Sequence, residues 1–332
     1  MKILINQNQY NLITEKVGVP NNIYNTATDI VYMFLNQFSK INDINNQQTF
    51  NISGNFKIND IVLNNIKINV EIIENDDINI VSLYNMPNNN NSIIIGLILN
   101  APEPFNIQQI YEHLLNNKNT IITNFTHEIK HGYDRIIEPK ISVNNRAHYY
   151  TQTELINKTN IKPIQRFLYT QYYINKIENS VRPSEMLADI KNKEIKQNEF
   201  AGYFNQTTIY ITLSKIKNST FENFINDLLN DKINMQKYLA KKRIMYTNLN
   251  DTELLYTFLE SYYNDIKTSI ENYIQQFNDK SSESNIDNLE YNIKQIYKYK
   301  DNPVLYFKNS IQQSSIKANM QIRKLAKLYS LL

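Results

Sequence analysis

The sequence predicts an α+β fold: a small, mainly antiparallel N-terminal sheet packed on one helix, then a largely helical C-terminal half. Three observations lead there. Between about residues 48 and 100 apolar and polar residues alternate, with turn-forming residues at the bends. After "APEP" (101–104) the apolar period lengthens to that of a helix and stays there. With 24 Tyr and 14 Phe in a chain that is 42% hydrophobic, there is enough area to bury against the entropy of ordering it.

In chain order, residues 1–20 show no clear period. "NIYNTATDIVYMFLNQFSKI" (22–41) has apolar residues at helical spacing. Phe50, Ile52 and Phe56 then alternate with polar residues, as do Ile66, Ile68 and Val70, and bends fall at Gly54, Asn59-Asp60 and Asn75-Asp76-Asp77. With "SIIIGLIL" (92–99) this makes about four strands. Helical patterns follow near 105–117, 119–135, 160–179, 184–205, 218–246, 251–278, 286–299 and 303–330, with "DKSSESN" (279–285) as the best linker. We therefore expect one domain over 1–215 and a helical region over 216–332. The last helix, "SIKANMQIRKLAKLYSLL", is basic and amphipathic, and packing on the chain's own helices is its commoner fate.

Composition removes several classes of function. No cysteine is present, so disulfides, thiolate nucleophiles and Cys-based zinc sites are excluded, and any metal site must use His, Asp and Glu. A net charge of +3 is too small for a nucleic-acid groove, and "AKKR" (240–243) reads as a solvated helix face. Five isolated glycines make no phosphate-binding loop. "MKILINQNQYNLI" does not read as a signal peptide, and the longest apolar run falls far short of the ~20 residues that span a bilayer. About one residue in six is Asn, the imprint of an AT-rich genome. The expected location is the cytoplasm, or a particle assembled there.

The chemistry concentrates in "ITNFTHEIKHGYDR" (121–134), which holds two of the four histidines. On a helix His127 and His131 lie one above the other and can point both imidazoles at one ion. Glu128 is rotated from His127 by about 100°, beside such an ion and not on it, where it can take a proton from a zinc-activated water. Ile122, Phe125 and Ile129 form the opposite, buried face, and Pro139 ends the helix. Chance alone produces HExxH in on the order of a few per thousand chains of this composition.

A catalytic zinc needs a third protein ligand and an open position. Asp134 and Ile137 stand where a metzincin would need Gly and His, which removes that class. In "RPSEMLADI" (182–190), Glu185 and Asp189 share one helical face after Pro183, a favoured helix-start residue; acidic residues also suit a first helical turn on their own account. Glu154 and His148 are the rivals for third ligand. His148, Tyr149 or Tyr150 could instead donate to an oxyanion. His113 reads as a helix-surface or core residue.

At these positions the sequence resembles gluzincin-type zinc metallopeptidases. "THEIKHGYDR" is similar to the HE-x-x-H-(A/G)-Y-D stretch of small peptidases encoded by tailed phages of low-GC bacteria, and the resemblance covers roughly residues 48–205. It implies a zincin-like fold, Zn2+ as cofactor, His127, His131 and Glu185 as ligands, Glu128 as general base, and Asp189 as the carboxylate that orients a ligating imidazole. The chain departs from the thermolysin pattern in having Ser184 before Glu185 and a longer gap after His131. The function so implied is a zinc-dependent endopeptidase, virion-associated or in the host cytoplasm. Its partners would be a protein or peptide substrate and other virion proteins, with no nucleic acid and no membrane span. The rival is a virion structural or interaction protein with a zincin fold and little or no protease activity; a metal-dependent toxin acting on host proteins is a third, weaker reading.

Overall fold

Alternation in the N-terminal third becomes four strands in the computed structural model, which describes residues 18–20, 22–86, 92–137, 151–278 and 296–331. They are β1 (Gln47–Ile58), β2 (Ile61–Glu74), β3 (Asn79–Met86) and β4 (Ser92–Ala101), in the spatial order β1-β2-β4-β3. β1 pairs antiparallel with β2 and β3 antiparallel with β4, while β2 and β4 run parallel. Two of the three pairings are antiparallel, as expected of a mainly antiparallel sheet, and the parallel third makes it mixed. β3 leaves room beside β2, and β4 returns into that room antiparallel to β3, hence parallel to β2.

Side chains of period two turn one face inward. Phe50, Ile52, Ile66, Ile68, Val70, Ile95, Leu97 and Leu99 are buried, whereas Thr49, Asn51 and Lys67 are exposed. One extra residue on β1 between Ser53 and Phe56 makes a bulge where Gly54 lies. A Cβ on Gly54 would stand 2.9 Å from the Phe56 ring.

Helices α1 (Ile23–Phe38), α2 (Ile107–Asn116) and α3 (Lys118–Ile137) complete this region, and α1 and α3 pack on the sheet and on each other. Phe34 joins them: its ring lies 5.1 Å from Phe50 on β1 and 6.4 Å from Phe125 on α3. The hairpin between β1 and β2 turns on Asn59, at φ 49°, a left-handed conformation that Asn tolerates. Asn59 Nδ2 donates to the Tyr133 hydroxyl of α3 at 2.8 Å. Tyr133→Phe should lower stability by about 0.5–1.5 kcal/mol, read from chemical denaturation, because it removes this bond and little else. An unchanged midpoint would show that water replaces it without cost.

Further helices are α4 (Lys162–Tyr173), α5 (Lys176–Asn192), α6 (Phe200–Gln206), α7 (Thr208–Lys217), α8 (Phe221–Asn230), α9 (Lys232–Lys241), α10 (Asp251–Asn278) and α11 (Pro303–Ala326). α5 begins at Lys176 and carries Pro183 in its interior, so Pro183 is not the helix start that the sequence suggested. The start is capped by Asn175, whose side-chain oxygen accepts from Ile177 N at 3.0 Å.

Over the described residues the chain divides into two compact units, each drawn from more than one stretch of sequence. Met1–Pro139, Ser180–Phe204 and Lys324–Leu332 form the first, and Lys140–Asn179 and Asn205–Arg323 the second. The second has its own core, in which Phe167 packs 5.6 Å from Phe224 and 5.1 Å from Phe307, alongside Leu228, Phe258 and Tyr263. Among the described residues no helix is long and apolar enough to cross a membrane. The expected linker at 279–285 lies outside the described residues.

Candidate metal centre

Helix α3 buries Ile121, Ile122, Phe125 and Ile129 on one side, which turns His127 and His131 to the other. The two Nε2 atoms face each other at 3.0 Å. The rings stand 4.7 Å apart at 74°. One turn of helix separates the residues, so their approach follows directly from the i, i+4 spacing. Glu128, the residue between the two facing side chains in sequence, is buried at 9% exposure.

Helix α5 runs antiparallel to α3 and is tied to it along its length. Asn192 Nδ2 donates to Asn119 O at 2.8 Å and to Thr123 Oγ1 at 3.0 Å. Glu185 Oε2 lies 2.9 Å from His127 Nδ1. Ser180 Oγ donates to Asp134 Oδ2 at 2.8 Å, and Asp134 also accepts from the buried Lys130. As the numbers fall on α5 they rise on α3.

His127, His131 and Glu178 each present a donor atom within 4.8 Å of the others, and together they form a largely buried group that could hold a metal ion. Glu178 is 4% exposed and accepts from the Tyr172 hydroxyl at 3.3 Å. The residues present fit a cation: two imidazole nitrogens converge and a carboxylate joins them.

Charge supports the same picture. Burial, followed by the neighbouring His127, Arg135, Lys130 and Arg182, holds the His131 imidazole well below the ordinary histidine range. It is thus neutral, the form whose lone pair can bind a metal. Burial pushes the Glu185 carboxyl up, but the His127 hydrogen bond and the charges of His127 and Arg182 outweigh it, and the group is held below its usual range. Glu185 is an anion opposite Nδ1.

The described residues that the sequence singled out each have a definite place. His127, Glu128 and His131 share one helix as expected. The third carboxylate in the donor group is Glu178, whereas Glu185, expected there, stands on the far nitrogen of His127. Asp189, expected to orient an imidazole, accepts instead from Lys193 at 2.9 Å and from Tyr203. Glu154 is exposed and paired with Lys158. His113 Nε2 lies 3.3 Å from Asn117 on α2. His148, Tyr149, Tyr150 and Pro139 lie outside the described residues. Glu178, Ser180 and Arg182 were missed. All three sit in "IENSVR" (177–182), which meets "RPSEMLADI" at Arg182, and the signal that could have found them is Asn175 as a helix cap.

Compared with known proteins, no family model matches the chain, no curated protein matches its sequence, and no solved structure matches its fold.

Proposed function

We propose that the chain is a zinc-dependent endopeptidase in which His127, His131 and Glu178 hold the ion and Glu128 is the general base. One observation carries this reading: the facing imidazoles of an HExxH helix, 3.0 Å apart, with a buried carboxylate from an antiparallel helix beside them. Nitrogens each about 2.0–2.1 Å from one tetrahedral ion stand about 3.3 Å apart, close to this separation. Two imidazoles and a carboxylate, with no thiolate, are a donor set of hydrolytic zinc sites.

The geometry favours Glu178 over Glu185 as third ligand. Glu185 occupies the Nδ1 side of His127, where a carboxylate accepts the ring N–H, fixes the tautomer and leaves the Nε2 lone pair toward His131. Bound zinc would supply a Lewis acid for the substrate carbonyl and bring the pKa of a water to about 7. Glu128 takes the proton of the attacking water and returns it to the leaving amine.

A virion or host-cytoplasm setting, with a protein substrate and other virion proteins as partners, agrees with the peptidase reading and with the AT-rich composition. A second reading, a virion structural or interaction protein with little or no protease activity, is favoured by the second unit, whose separate aromatic core exceeds what a minimal hydrolase needs.

Metal analysis tests the proposal. Purified without chelators, the full chain should carry about one zinc per molecule, and chelation should abolish cleavage of an unfolded protein substrate. Protein free of zinc under those conditions ends the reading. Zinc-loaded protein that leaves a broad peptide panel uncut moves the balance to the interaction reading.

A further inference from the structure

Charge is shared unevenly between α10 and α11. α11 carries four basic residues, Lys308, Lys317, Arg323 and Lys324, and no acidic one. α10 carries five acidic residues, Asp251, Glu253, Glu260, Asp265 and Glu271, against the single basic Lys267. The net charge of the whole chain is only +3, so the contrast is local and does not follow from bulk composition.

Both helices turn apolar side chains to the core of the second unit, Phe258 and Tyr262 from α10 and Phe307 and Ile311 from α11. Their outer faces carry the charge, and each also exposes large side chains. On α10 Tyr256 is 55% exposed, between the exposed Glu253 and Glu260. On α11 Met320 is 64% and Ile316 53% exposed, and the exposed Lys317 and Arg323 lie on either side of Met320. At 1.5 Å of rise per residue, Glu253 and Glu260 stand about 10 Å apart along their axis, and Lys317 and Arg323 about 9 Å. The two stripes share one layout with opposite sign. Tyr256 and Met320 are each more than half exposed, so they do not cover each other within one chain. Among the described residues, Lys317, Arg323 and Glu260 form no ion pair or side-chain hydrogen bond.

We propose that the stripes are the two halves of one contact between copies of this chain, the basic stripe of α11 on one copy seated against the acidic stripe of α10 on the next. Met320 packs on the Tyr256 ring, a favourable sulfur–aromatic pairing, and Lys317 and Arg323 meet Glu253 and Glu260. The two surfaces differ, so the contact is head to tail and assembly runs past the dimer, into a ring or a row of copies. Two helices meeting over about two turns bury less than the ~1,200 Å² of a standard interface, and the association is accordingly weak. An anionic membrane is the poorer occupant, because two exposed apolar side chains on α11 give a bilayer little to bury. The contact is independent of the metal reading.

Sedimentation velocity on the full chain, between about 1 μM and 1 mM, tests it. The sedimentation coefficient should rise with concentration, and about 1 M NaCl, which shortens the Debye length to about 3 Å, should weaken association about tenfold. Glu253 also accepts from Asn250 N at 3.0 Å at the start of α10, so Glu260 is the acidic residue to alter. Lys317→Glu/Arg323→Glu and Glu260→Lys should each weaken self-association at least about tenfold. An equimolar mixture of the two variants should form dimers and nothing larger, because only one intact pair of stripes remains. Should a charge variant fail to fold, Tyr256→Ala and Met320→Ala, at surface positions, should each weaken association about tenfold. A chain that stays monomeric up to about 1 mM, an association indifferent to the α10 variants, or a mixture that does not dimerise overturns the inference. Binding of a monomeric chain to phosphatidylserine vesicles, lost in Lys317→Glu/Arg323→Glu, gives the α11 stripe to a membrane and overturns it as well.

Discussion

Glu178→Ala should strip zinc from the purified chain, whereas Glu185→Gln should leave it bound more weakly. The two carboxylates lie on one face of α5, and the structure separates their positions: Glu178 joins the two imidazoles in the donor group, and Glu185 meets the outer nitrogen of His127. Removing an orienting partner costs a metal site roughly 10–100-fold in affinity. Glutamine at 185 can still accept the Nδ1 proton, so its effect should fall near the lower bound. Loss of a ligand should exceed the upper one, because the ion keeps only two protein bonds. Isothermal or chelator-competition titrations of the two variants decide the matter. If Glu185→Gln loses zinc and Glu178→Ala retains it, the assignment is reversed and the sequence-based choice of Glu185 as ligand is restored.

The ease with which parts of this site can be read from sequence follows the range of the interactions involved. His127, Glu128 and His131 belong to one helix, and their mutual geometry is set by 3.6 residues per turn and nothing more distant. The apolar stripe Ile122, Phe125 and Ile129 is local in the same sense, as is the alternation of Phe50, Ile52, Ile66 and Ile68. The third carboxylate is a different kind of fact. It depends on where α5 begins and at what register it passes α3. Pro183 suggested a start seven residues too late, since proline is common at a first helical position. The observed start at Lys176 leaves Pro183 inside the helix, and no local pattern announces that register. The parallel pairing of β2 with β4 was hidden for the same reason: strand direction within a sheet is decided by the return path of β3, which alternation does not encode. The interleaved units have a similar origin. Each recruits a segment from beyond the other in sequence, and a search for composition changes along the chain cannot detect that.

Glu128→Gln should abolish peptide hydrolysis while leaving the metal in place. The substitution preserves shape and volume at a residue that is 9% exposed, so neither a cavity nor an overpacked core results. What disappears is the capacity to accept a proton. General-base catalysis contributes about 10²–10⁴ in rate, and kcat should fall by that factor with KM little changed, because glutamine keeps a similar polar surface toward bound substrate. Zinc content should match the parent protein, since the side chain is not one of the three members of the donor group. The combination discriminates between readings. A structural protein with an incidental ion would show retained zinc but no activity to lose, and a hydrolase using another base would keep its rate. Loss of zinc together with activity would make Glu128 part of the coordination itself, and the division of roles between Glu128 and Glu178 would then have to be exchanged. Only retained metal with lost turnover agrees with a carboxylate that moves protons next to an ion held by its neighbours.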